Sequence, residues 1–306
     1  MAQITAQLVK QLREATDAGM LDCKKALEET DGDIDTAIEY LRKKGLSKAA
    51  KKADRIASEG SISLEISSDL KSATMTEINS ETDFVSKNEN FQNFVKNATC
   101  HIHATASSTV EELNSTTIDG TTFEEYVQTQ IAKIGENIVV RRFAKVSVDG
   151  TGLVSGYVHS NGRVGTMVAI KCDSEATCTA LKDVAKDISM HAAAMAPKYL
   201  NESQIPADMI EKEAEIAKEQ LVKEGKPQNM LEKILPGKIK KFVDENTLVG
   251  QKFVKDDKKS VEQVLNDAAK SVGGKAELVD YVRFELGEGL EKRACNFAEE
   301  VAAQLQ

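Results

Sequence analysis

The sequence predicts an α+β protein: a three-helix N-terminal module, two α+β core subdomains with antiparallel sheets, a helical hairpin arm and a C-terminal helix. Three observations predict it. Apolar residues recur at helical spacing as far as Gly45 and then, from Gly60, at every second position. The order hairpin, helix, insertion, strand occurs twice along the 306 residues, which points to two similar subdomains and an old duplication. The second insertion is dense in Glu, Lys and Ala and has no period of two.

In residues 1–46, Leu8, Val9, Leu12 and Ala15 make one apolar face after Thr5, a fitting N-cap. Leu21, Ala26 and Leu27 make a second face, and Ile34, Ala37, Ile38 and Leu41 a third. Gly19, the Asp31-Gly32-Asp33 turn and Gly45 punctuate these helices. A module this small has a thin core and suits docking. Residues 47–59 read as a basic linker with Lys48, Lys51, Lys52 and Arg55, either a solvated face or a surface for an acidic partner.

Residues 60–149 form the first core subdomain. Ile62, Leu64 and Ile66 alternate with polar residues, and 73–78 returns as the second strand of a hairpin. Ser86 and Glu89 are spaced like a capping box opening a helix over 88–106, and Thr122 and Glu125 do the same for 122–133. Gly135 then leads to a strand over 138–148. Residues 150–204 and 251–286 form the second subdomain. Strands 154–160 and 163–172 flank Asn161-Gly162, a strong hairpin signal. An Ala-rich helix over 175–194 stops before Pro197, and the closing strand is 277–286.

The arm is 205–250. A helix over 209–223 turns at Gly225-Lys226-Pro227 into a return helix with Leu231, Ile234, Leu235, Ile239, Phe242 and Val243 on one face. Pro236 is expected to break or kink that helix. In 287–306, Leu290, Ala294, Phe297, Ala298, Val301 and Leu305 stripe a last helix, which either caps its own domain or swings out on Gly287 and Gly289.

A net charge of −9 argues against a broad nucleic-acid footprint, and the absence of Trp disfavours base-stacking platforms. No run approaches ~20 apolar residues and the first ten residues do not read as a leader, so no membrane partner and a cytosolic protein are expected. Cys23, Cys100, Cys172, Cys178 and Cys295 form no Cys-x-x-Cys pair and read as reduced thiols, with no metal site. Gly237-Lys238 and Gly274-Lys275 lack the rest of a phosphate loop, so no nucleotide or other cofactor is expected. His101 and His103 lie two apart on a predicted helix and face apart, a poor metal geometry. His191 sits in an Ala-rich helix and reads as packing. His159, near a polar hairpin tip, is a partner contact or idly exposed.

The stretch 78–91 sets a large ring, Phe84, beside a carboxylate, Asp83, among residues that favour turns and helix starts. At such a strand-to-helix junction the ring has two readings. It projects toward a partner, or it folds back as a staple on its own helix.

Five blocks in order resemble the bacterial elongation factor Ts family, the guanine-nucleotide exchange factors of elongation factor Tu. They are Leu21-Asp22-Cys23-Lys24-Lys25-Ala26-Leu27, Thr82-Asp83-Phe84-Val85, Lys133-Ile134-Gly135-Glu136-Asn137, His159 with Gly162-Arg163-Val164-Gly165, and Arg283-Phe284-Glu285-Leu286-Gly287-Glu288-Gly289-Leu290-Glu291-Lys292. The resemblance spans essentially the whole chain. It implies that 1–46 is similar to ubiquitin-associated domains and that 287–306 reaches the partner GTPase. It further implies that, within the block Thr82 to Val85, Asp83 and Phe84 enter the GTPase domain of elongation factor Tu, with Ile134 and His159 beside them. On this footing the chain is a cytoplasmic translation factor and not an enzyme, and an oligomer through the arm or core stays open. Relatives often carry another residue where Pro236 stands. The alternative is a docking or ribosome-associated adaptor without exchange activity; an enzyme using His159 and a cysteine is more remote.

Overall fold

The computed structural model describes residues 4–16 and 18–290. The first helices are α1 (Ala6–Thr16), α2 (Met20–Glu29) and α3 (Ile34–Ala50). Strands β1 (Glu59–Ile66) and β2 (Ser72–Ser80) follow, then α4 (Asp83–Ser86), α5 (Glu89–Ala104) and α6 (Val110–Asn114). After the short strands β3 (Thr117–Ile118) and β4 (Thr121–Thr122) come α7 (Phe123–Ile134) and β5 (Ile138–Ser147). The second half runs β6 (Gly152–Val158), β7 (Val164–Cys172), α8 (Glu175–Ala180), α9 (Lys182–Met195), α10 (Ala207–Lys223) and α11 (Gln228–Asn246). It ends with β8 (Lys252–Phe253), β9 (Asp256–Ser260), α12 (Val261–Ser271) and β10 (Ala276–Glu285). None of the described helices is long and apolar enough to cross a membrane.

The mixed α+β class is as predicted, and the two larger sheets share a plan. One runs β1-β2-β5 and the other β6-β7-β10. In each, the second hairpin strand is central and the strand after the insertion pairs with it. The described chain divides into two compact units, its residues within 4–63, 76–143 and 286–290 in one, 64–75 and 144–285 in the other.

In the first unit, α1, α2 and α3 enclose Leu12, Cys23, Ala26, Leu27 and Ala37. Cys23, Ala26 and Leu27 follow i, i+3, i+4 spacing, which puts Leu21 on the opposite side of α2. Leu21 is 76% exposed and not an inner-face residue. Nor does Gly45 end its helix. A Cβ at Gly45 would lie 3.3 Å from that of Ala132, so glycine lets α3 run closely along α7. The helix continues to Ala50 over the start of the expected linker, and Ala49 enters a second core with Ile78, Phe91, Phe94, Phe123 and Ile131.

The basic run is therefore largely a set of internal ties. Lys44 and Lys48 reach the Asp22 carboxylate at 3.4 and 2.9 Å, Arg42 pairs with Glu125, Arg55 with Glu81, and Lys52 Nζ donates to the Gly135 carbonyl. Each exposed pair contributes little, on the order of 0–1 kcal/mol, so their effect is mainly on placement.

One tie in this unit is buried. The Glu77 carboxylate of β2 is fully enclosed and accepts from Arg141 Nη1 at 2.8 Å, Arg142 Nε at 2.6 Å and the Gly287 N–H at 2.8 Å. Burial raises the pKa of this carboxyl, but those three donors outweigh it and hold the group below its ordinary value. Gly287 and Gly289 both adopt φ +74°, and a Cβ on Gly287 would meet the Ser58 carbonyl at 2.8 Å. The two glycines thus build a pinned turn as far as Leu290. The predicted helix beyond Leu290 lies outside the described residues.

The second unit packs α9 on β6 and β7, with Leu153, Val168, Ile170, Leu181, Ile188, Leu265 and Leu278 in its core. Helix 175–194 is divided at Leu181, which is fully buried. The Asn161-Gly162 pair sits in a longer loop than its motif suggests. Only Gly162 of the two has positive φ, and its N–H bonds to the His159 carbonyl at 2.8 Å, closing a four-residue turn. Helix α12 and the β8–β9 ribbon had no prediction, although Ser260 and Gln263 form a capping box at the start of α12. In the arm, α10 and α11 pack together and bury Ala217, Leu221 and Leu231. Helix α11 passes unbroken through Pro236, which faces solvent, where water can serve the carbonyl left without a donor.

His191 is fully buried in the second unit, accepting from the Val254 N–H at Nδ1 and bonded through Nε2 to Gln251 Oε1, both at 3.1 Å. Burial holds its pKa below the ordinary 6.5, only partly opposed by the Gln251 bond. The unfolded chain therefore takes up a proton first as pH falls. Unfolding free energy should drop below about pH 6.5, by up to about 1.4 kcal/mol per pH unit from this group. Urea titrations of the native chain and His191→Gln between about pH 7.5 and 5.5 check this, the variant lacking that component. Parallel curves would mean that His191 is charged in the fold. Glu77→Ala should lower stability by about 1–3 kcal/mol, measured by the same titration at neutral pH, because the Gly287 N–H and two arginines lose a buried acceptor.

Candidate functional site

The candidate site is built where β2 ends. Residues 73–80 are buried along the strand, and the chain leaves the sheet at Ser80, whose hydroxyl donates to the Thr82 carbonyl at 3.0 Å. Thr82 then caps the four-residue helix α4, its Oγ1 accepting from the Val85 N–H at 3.4 Å. Ser86, expected to open the next helix, instead donates to the Asp83 carbonyl, and Asn88 caps α5. The far end of α4 is held as well. Asn88 N–H bonds to the Val85 carbonyl at 2.9 Å, and Gln92 Nε2 donates to the Ser86 carbonyl.

This frame decides between the two readings of Phe84. Val85 turns inward against the core of Ile78, Phe91 and Phe94, and Phe84, one residue earlier, points out and is 82% exposed. The ring is not a staple. Asp83 beside it pairs with Lys87 at 2.7 Å, and that hydrogen bond keeps its carboxyl below the usual range, so it is an anion at neutral pH.

Glu136 joins two of the sequence blocks. Its carboxylate accepts from Thr82 N–H at 3.0 Å and from Thr82 Oγ1 at 2.7 Å. Glu136 stands just past α7, whose C-terminus is closed by Gly135 at φ +92°. The next residue, Asn137, donates its N–H to Glu81 Oε1 at 2.6 Å and its side-chain amide to the Ala53 and Arg55 carbonyls. Ile134, the last residue of α7, is half-buried and packs against the same core as Val85. Thus 82–85 and Ile134 share one fastened corner of the first unit.

His159 belongs to the second unit. It is exposed at the end of β6, with Nδ1 3.0 Å from the Tyr157 hydroxyl and the two rings edge to face. The residues that the sequence left unassigned here are Glu81, Lys87 and Tyr157; Glu136 and Asn137 appeared only inside a matched block. His101, set aside above as a metal ligand, makes internal contacts: it stacks on Phe123 and bonds Thr116 Oγ1 at 2.7 Å.

Residues 81–288 match the family model described as "Elongation factor TS". The chain is 61% identical to the elongation factor Ts of Nitratiruptor sp. over 303 residues, covering 99% of both chains. It is 54% identical over 306 residues to that of Nautilia profundicola, covering each in full. To that of Wolinella succinogenes it is 49% identical, again over the whole of both chains.

Because the Phe84 ring touches so little of its own protein, Phe84→Ala should change stability by no more than about 0.5 kcal/mol. A thermal melt followed by circular dichroism checks this, and a large fall would mean that the ring is packed.

Proposed function

The chain belongs to the elongation factor Ts family, and we propose from that premise that it promotes GDP release from elongation factor Tu by inserting Asp83 and Phe84 into the GTPase domain. The observation that supports this is an aromatic ring held in water on a helix fixed at both ends. A solvent-exposed ring on a rigid mount loses little conformational freedom when a partner covers it, and its burial contributes ~1.5–3 kcal/mol to the complex.

A GTPase holds GDP through loop amides, a lysine and a Mg²⁺ ion in fixed geometry. A wedge that shifts those groups weakens phosphate and metal contacts together. Phe84 supplies the apolar anchor that stabilises the shifted arrangement. Asp83 supplies a negative charge, which must leave Lys87 to act. Ile134 supports the wedge from the side, and His159 acts at the phosphate end. Linkage makes the effect reciprocal: the protein loosens GDP by the factor by which GDP loosens the protein. Exchange then passes through a nucleotide-free complex that the nucleotide in excess resolves. On this reading the chain works in the cytoplasm, forms no covalent intermediate and binds no nucleotide itself.

A pure docking adaptor is the second reading, favoured by the exposed Met20 and Leu21 on α2. Release of labelled GDP from elongation factor Tu, followed by stopped flow, separates the two. The native chain should accelerate release and bind no guanine nucleotide alone. Phe84→Ala should lose about 2 kcal/mol, roughly thirtyfold in rate. Asp83→Asn isolates the charge, and His159→Ala should slow release more than docking. No acceleration by the native chain leaves the adaptor, and an unchanged rate for Phe84→Ala removes the wedge.

A further inference from the structure

We infer that Glu136 is a positioning residue, whose carboxylate aims the Phe84 helix before any partner arrives. The inference rests on the exchange reading above and adds to it the part that holds the wedge.

A helix of four residues cannot hold itself. Nucleation fixes several backbone angles for a single hydrogen bond, so an isolated turn is unstable in water. Helix α4 must be held from outside, and its N-terminal hold is Thr82. The Thr82 hydroxyl has one proton and two lone pairs. Its proton goes to Glu136 Oε1 at 2.7 Å, which leaves a lone pair for the Val85 N–H at 3.4 Å. Thr82 N–H goes to the other carboxylate oxygen at 3.0 Å. Thr82 thus presents two donors to residue 136 and needs two acceptors there. An ionised carboxylate offers that pair; a carboxamide of the same shape has one acceptor and turns an N–H toward one of the donors.

The support behind Glu136 is stiff. Lys52 Nζ donates to the Gly135 carbonyl on one side of it, and Asn137 bonds Glu81, Ala53 and Arg55 on the other. The backbone of Glu136 therefore has little freedom, and its side chain transmits that fixity to Thr82, 54 positions away in sequence.

The test uses the full chain. Glu136→Gln should lower the GDP release rate at saturating protein roughly tenfold, with a melting temperature close to native, since the contact is half-exposed. In a Phe84→Ala background Glu136→Gln should cost clearly less than it does alone, because the helix that it aims then carries only Asp83 of the wedge. Hydrogen exchange at the Val85 amide should quicken in Glu136→Gln. A native rate for Glu136→Gln beside an impaired Phe84→Ala overturns the inference alone. A deficit that recurs in full on Phe84→Ala also overturns it, whether or not the melt has shifted, because the effect is then general. No deficit in Phe84→Ala itself overturns the exchange reading and this inference together.

Discussion

The first unit depends on one buried carboxylate. Glu77 gathers β2, two arginines of β5 and the turn at Gly287 onto a single group with no exposure to water. Removing a carboxylate from water is costly, and only a full complement of donors at good distance offsets it. Arg142 also reaches Glu288 Oε2 at 3.1 Å, and Arg141 the Glu288 carbonyl, so the same two guanidinium groups hold the residue that follows Gly287 as well. Chain segments more than two hundred positions apart are fixed to one another in this way. The order of the strand that leads into the candidate site follows from the same fixture.

From β2 the order is handed on through hydrogen bonds and not through apolar packing alone. Ser80, Thr82, Glu136, Asn137 and Glu81 form a continuous polar chain beside a core of Ile78, Phe91 and Phe94. Such directional contacts specify orientation more sharply than burial does, which is what a short presenting helix needs. The half-buried Val85 supplies the apolar part, and the alternation of an inward Val85 with an outward Phe84 follows from one helical step.

Much of the architecture was legible because its signals are local. The change of period at Gly60, the Thr122 cap and Gly135 each act within a few residues of where they stand, and strands and helix appear there. What could not be read depends on distant partners. Spacing cannot say which of Phe84 and Val85 faces the core, since each is apolar and the answer lies with Phe91 and Phe94. Lys48, Lys52 and Arg55 look like a solvated run until Asp22, Gly135 and Glu81 are brought beside them. Gly45 reads as a stop until Ala132 shows why a side chain is excluded. The resemblance to the elongation factor Ts family named the candidate site residues, and geometry added the contact of Glu136 with Thr82, a threonine far along the chain.

A bare phenyl ring on each free molecule also bears on how copies of the protein behave at high concentration. One ring covers far less than the few hundred Å² that marks an adhesive patch. Beside it the Asp83 charge is matched by Lys87 and that of Glu81 by Arg55, so it is the net charge of the whole chain, −9, that acts between copies. Two copies therefore repel through their overall charge, which physiological salt confines to separations of ~8 Å. A partner with the opposite local charge meets no such barrier. The net charge thus acts as a colloidal guard for the ring, and added salt weakens that guard.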